Sequence, residues 1–255
     1  MYKPTFATSA VATLATIILA AFVAGSATAA DLRPRPAAPY QPPPPAPVFS
    51  WSGCYIGANI GGGWADKSFN DAAGLVTGVP GADLGTHTAS GVIGGGQIGC
   101  DYQAGVWVFG VQGMFDGSAM DGSNTQPNGL IVNNTTIPWL ATATGRIGVT
   151  AAPTVLVYAK GGGAWVRDEF TLTAVGTGAT LANTTTNQSG WTVGGGVEWA
   201  FAGNWSAFAE YNYLDFGTPS VNFTSGIGGT VPVNVRQNIN SFMVGVNYRF
   251  GAWAY

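Results

Sequence analysis

From Gly53 to Phe250 apolar and polar side chains alternate with a period of two, in segments separated by clusters of Gly, Pro, Asn and Ser. That period is the signature of a β-strand whose two faces meet different surroundings. Eight such segments are predicted, over residues 53–64, 91–102, 106–118, 139–150, 155–166, 190–201, 205–216 and 239–250. Each suits a tilted strand crossing a bilayer, which takes ~9–11 residues. In the sixth, Trp191, Val193, Gly195, Val197, Trp199 and Phe201 share one face, and Thr192, Gly194, Gly196 and Glu198 the other. The eighth sets Phe242, Val244, Val246, Tyr248 and Phe250 against Met243, Gly245, Asn247 and Arg249. The connections alternate too. Those at 65–90, 119–138, 167–189 and 217–238 are long, and those at 103–105, 151–154 and 202–204 are short. An all-β fold follows: an eight-stranded antiparallel transmembrane β-barrel over residues 49–250, apolar outside and polar within, with short periplasmic turns and four long extracellular loops. Both termini then lie in the periplasm.

Composition points the same way. Charged residues are 8% of the chain, against roughly 25% in ordinary globular domains, while aromatics reach 12% and glycines number 39. Disorder would need high net charge and few aromatics, which is not this chain. Six of the nine tryptophans, Trp107, Trp139, Trp165, Trp191, Trp199 and Trp205, fall on outward positions near segment ends. Amphipathic rings collect at membrane interfaces, so two aromatic girdles are expected.

The first thirty residues read as a signal peptide. Lys3 marks the positive end, 11–24 is an uncharged apolar stretch, and small residues at 25–30 offer the cleavage site. The stretch is shorter than the ~20 residues a spanning helix needs. Residues 31–48 hold eight prolines and read as an extended polyproline spacer in the periplasm. Residues 251–255 form a C-terminal tail. Removing Lys3 takes the net charge from −3 to −4, so no nucleic-acid partner is expected. The expected surroundings are outer-membrane lipid and lipopolysaccharide, with the barrel-assembly machinery as the partner during biogenesis.

Lumen-facing parity collects three acids, Asp101, Glu198 and Glu210, with three bases, Arg146, Lys160 and Arg249. An eight-stranded barrel is just wide enough for side chains to fill it. The set reads as a closing plug, the alternative being an ion-selective pore. Cys54 opens the first segment and Cys100 closes the second, with equal parity at the periplasmic rim. A disulfide is expected in this oxidising compartment, provided the two meet as a close, directly opposed pair; two lipid-facing thiols are the alternative. No catalytic, metal or cofactor residues are expected. Gly94-x-Gly96-x-x-Gly99 matches a dinucleotide fingerprint but lies inside a strand, with no helix to hold a phosphate. His87 is the single histidine and reads as a surface-loop residue.

Phe49-Ser50-Trp51-Ser52-Gly53-Cys54-Tyr55-Ile56-Gly57-Ala58-Asn59, Gly94-Gly95-Gly96-Gln97-Ile98-Gly99, the run from Gly190 to Glu198 and Asn204-Trp205-Ser206 together resemble the outer-membrane immunogenic proteins, small porin-like barrels of alphaproteobacteria. The resemblance spans about 49–250. It implies an eight-stranded barrel at the cell surface, antigenic loops and a role in envelope integrity, and it brings porin activity and loop-mediated haem binding as alternatives. The chain departs from the family pattern at Cys54 and Cys100 and in continuing past Phe250. The leading expectation is a non-enzymatic structural and surface protein of the bacterial outer membrane.

Overall fold

The computed structural model describes residues 49–74, 78–125, 129–224 and 230–250. The signal peptide at 1–30, most of the proline-rich spacer at 31–48 and the tail at 251–255 lie outside the described residues. Nine strands follow in order: β1 (Gly53–Asp71), β2 (Asp83–Ala104), β3 (Trp107–Thr125), β4 (Ile131–Ala152), β5 (Val155–Ala174), β6 (Thr180–Ala202), β7 (Trp205–Asp215), β8 (Ser220–Thr224) and β9 (Thr230–Phe250). Each of β1 to β7 pairs antiparallel with the next, β7 pairs with β9, and β9 returns to β1. The closing ladder is long, from Cys54 opposite Phe250 to Asp71 opposite Val233. Eight strands therefore form a ring, and β8 is a short segment laddered to the upper part of β9. Closure satisfies every ladder without leaving an edge inside the bilayer.

Turns at the periplasmic end are tight. Gly105 and Gly203 adopt positive φ, 64° and 50°, which lets a two-residue turn follow the right-handed twist of its strands.

At the other end the strands run well past the membrane-length segments. Much of 65–90, 119–138, 167–189 and 217–238, expected as loop, is strand. Alternation does not stop there; its polarity reverses. Within the bilayer zone Ile56, Ile98, Val111 and Phe115 point outward, each more than half exposed. Beyond Trp64 the outward positions are Asp66 and Ser68 on β1, Thr86 and Thr88 on β2, and Arg167 and Glu169 on β5, all polar. The inward ones become Ala65, Ile93, Ile137, Val166, Leu214 and Ile239, one buried cluster, then Phe69, Leu84, Phe170, Val233 and Val235, a second. A reading tuned to lipid-facing alternation ends where this inversion begins.

The tryptophans sort into two levels. Trp107, Trp199 and Trp205 sit at the ends of β3, β6 and β7 nearest the tight turns, and Trp205 meets Tyr248 at 5.2 Å. Trp139, Trp165 and Trp191 lie toward the other end, joined by Trp64, which is also exposed. The levels match the two interfaces of a bilayer.

Cys54 lies directly opposite Cys100 in the β1–β2 ladder, and the two are disulfide-bonded. The bridge spans 46 residues of sequence. In the chain-entropy model such a closure restrains the unfolded chain by at most ~4 kcal/mol. Replacing both cysteines with serine is expected to leave a folded barrel whose unfolding free energy in urea drops by an amount within that bound, and which no longer shifts when reductant is added.

Candidate functional site

Strand alternation in a narrow ring forces every second side chain into the lumen, where no solvent channel separates opposite walls. Arg146 on β4 reaches Asp101 on β2 through two hydrogen bonds, one from Nε to Oδ1 at 2.7 Å and one from Nη2 to Oδ2. Its Nη1 donates to Glu198 Oε2 on β6 at 3.0 Å. Arg249, four strands away on β9, donates from Nη1 to Asp101 Oδ2 at 2.7 Å and brings Nη2 to within 3.5 Å of Glu198 Oε1. Two guanidinium groups and two carboxylates thus form one neutral cluster. Lys160 on β5 pairs separately with Glu210 on β7 at 2.7 Å. All six side chains named from parity are buried.

The two centres are wired together. Lys160 Nζ donates to Gln112 (3.2 Å), Gln112 to Gln97 (3.1 Å), Gln97 to Asn247 (2.5 Å) and Asn247 to Glu198 (3.0 Å). Ser206 adds a bond to Glu198 Oε1 at 2.6 Å. Buried ions are costly unless paired and hydrogen-bonded, and this chain of amides supplies further partners to Lys160 and Glu198.

Aromatic rings complete the filling, and parity alone had not singled them out. Arg146 lies between the rings of Tyr55 and Tyr158, 4.9 and 5.0 Å from their centres. Arg249 lies between Tyr55 and Trp51, at 4.8 and 5.3 Å. The result is a column, Trp51–Arg249–Tyr55–Arg146–Tyr158, in which each cation faces two π surfaces. Gly99 leaves the space that the Tyr55 hydroxyl end occupies; a Cβ there would collide with it. Trp51 is fully buried at the periplasmic mouth, its backbone N–H donating to Gln103 Oε1 at 2.8 Å and its backbone carbonyl accepting from Arg249 at 2.7 Å. Phe49 packs edge-on against it. The segment entering the barrel therefore doubles as its stopper.

A second polar layer lies between the two apolar clusters. Lys67 pairs with Asp168 at 2.6 Å, both fully buried, and Gln188 and Gln237 donate to the same carboxylate at 2.9 and 3.3 Å. These residues fell in the expected loops, so sequence parity stopped short of them; the signal was the period of two, continued with inverted polarity. His87 also lies on β2 and not in a loop. It faces inward, opposite Lys67 in the ladder and stacked on Phe69 at 5.3 Å. Among the described residues, no cluster of three or more His, Cys, Asp or Glu forms a metal site.

Residues 17–250 match the family described as the outer membrane protein beta-barrel domain. The chain belongs to this family. It is 34% identical over 244 residues to the 31 kDa outer-membrane immunogenic protein of Brucella melitensis biotype 1, covering 91% of this chain and 97% of that one. The counterpart in Brucella suis biovar 1 matches equally. Among solved structures, outer membrane protein OprG of Pseudomonas aeruginosa aligns with 79% of this chain and 98% of its own, at 13% identity and a TM-score of 0.45. As an outer membrane protein beta-barrel this chain resides in the outer membrane, and the immunogenic relatives match it across the whole barrel.

Two outcomes test the lumen. Replacing Arg146 with methionine strands Asp101 and Glu198 beside a single remaining guanidinium, and should cost ~3–5 kcal/mol of stability in urea unfolding from lipid vesicles. Adding Asp101→Asn to that variant should recover part of the loss. The second concerns His87, which lies beyond the apolar band, level with the polar outward residues Thr86 and Thr88. Burial, and then the charge of Lys67, hold its pKa below the ordinary value. The unfolded chain therefore takes up a proton that the folded barrel resists, so stability is lost as pH falls through the unfolded value of ~6.5. His87→Gln should flatten this part of the profile between about pH 8 and about pH 5.

Proposed function

We propose that the protein is a closed structural barrel of the outer membrane, contributing to envelope integrity, with antigenic connections at the cell surface. The observation that carries this reading is the aromatic–arginine column with its shared carboxylates. It fills the periplasmic half of the lumen from wall to wall, and its charges cancel locally instead of lining a path. Ion conduction needs sites that bind weakly enough to release, whereas these bases and acids satisfy one another. The same pairing supports a non-enzymatic reading, since each of the six charged lumen residues is spent on a structural partner. Residues 1–30 serve as the export signal, 31–48 as a spacer in the periplasm and 251–255 as a tail. The barrel-assembly machinery inserts the chain, and its aromatic girdles settle it among lipid and lipopolysaccharide. The mature chain reconstituted in a planar bilayer should give no steady single-channel conductance. A large, stable conductance from the unmodified protein would overturn the closed reading in favour of a small-solute pore.

A further inference from the structure

Among the described residues, four bases and four acids of the lumen pair with one another. Arg146 and Arg249 match Asp101 and Glu198, Lys160 matches Glu210, and Lys67 matches Asp168. Asp116 on β3 is only 1% exposed, takes part in none of these pairs, and its Oδ1 has no hydrogen-bond partner. It borders a small cavity with about 10 Å³ open to the centre of a water molecule, the room of roughly one water or one small ion. Thr142 on β4 and Asn212 on β7 line the same cavity, and Thr142 Oγ1 and Asn212 Oδ1 are likewise buried without partners. Asn212 is oriented by its own amide, which donates to Glu210 Oε1 at 3.0 Å and leaves the carbonyl end free. Three residues with buried, unpartnered oxygens thus line one void from three strands, beside Met114, Leu140, Leu214, Ser241 and Met243.

The backbone makes way for them. A Cβ on Gly95 would lie 2.6 Å from Asp116 Oδ1, and one on Gly194 would strike Asn212 Oδ1. Lys160, the nearest ammonium that could neutralise the carboxylate, is already engaged by Glu210, Gln112 and the Met114 sulfur. A buried carboxylate without a counter-charge is costly. A neutral water would satisfy the lone pairs but leave the charge.

We propose that this cavity is a binding site for a single small monovalent cation of sodium size, held by the Asp116 carboxylate, the Asn212 carbonyl and the Thr142 hydroxyl. One carboxylate and neutral oxygens suit a hard, singly charged ion, and the void has room for one. Such an ion binds the folded barrel and not the unfolded chain, so it stabilises by mass action.

The test is urea unfolding of the full chain in lipid vesicles at mildly alkaline pH, with sodium chloride varied against choline chloride at constant ionic strength. Raising sodium about a hundredfold above its Kd should raise the folded-to-unfolded ratio by about the same factor. Asp116→Asn should abolish that slope, and Thr142→Val should move the response to higher sodium. Equal stability in sodium and choline, as a proton on Asp116 or a lone water would give, overturns the proposal. So does a sodium slope that survives Asp116→Asn. Should that variant fail to fold, an unshifted response in Thr142→Val overturns it alone.

Discussion

In hydrocarbon a peptide N–H has no water to bond, so every backbone group inside the bilayer must find its partner within the protein. In this chain the demand is met by joining β1 to β9 along a ladder from Cys54 to Asp71, and most other features descend from that closure. Eight strands make a tube too narrow to hold bulk water and too wide to leave empty. Its interior must be built from side chains that reach across it, which is why long residues such as Arg146, Arg249 and Lys160 share the lumen with glycines. A guanidinium can touch two carboxylates and two rings at once, so a few residues close the bore.

The wall has two regimes along one set of strands. Inside the bilayer, outward positions are apolar and the lumen carries charge; beyond Trp64 the outward positions are mostly polar and the lumen holds Phe69, Phe170, Val235 and their neighbours. The upper part is built like a water-soluble barrel and the lower part like a membrane one. Each region places its apolar atoms away from whichever polar medium it touches. Within the upper part, the Lys67–Asp168 pair and its glutamines form a polar floor between apolar layers.

The ring, its strand order and the inward parity of the six charged residues were legible because alternation reports the medium outside each strand. The Cys54–Cys100 bridge was legible because topology places the start of one strand against the end of the next. What escaped did so for definite reasons. Lys67 and Asp168 lie where the pattern inverts, and a template of membrane length reads inverted alternation as loop. Trp51 precedes the first strand, so no parity applied to it. Asp116 shared the lumen parity of the other acids, but its lack of a counter-charge depends on which base each acid meets across the tube. Neighbours three or four strands apart are invisible to a one-dimensional period.

The bridge between Cys54 and Cys100 lies on only one flank of β1. Against β2 a slip of two residues would require breaking a covalent bond, while against β9 the same strand is held by ladder hydrogen bonds and side-chain contacts. The ring is therefore mechanically lopsided: one neighbour of its first strand is riveted and the other is zipped. The stagger that sets the barrel's tilt and bore is pinned at the rivet, which leaves the zip as the place where a misthreaded tube would show its error.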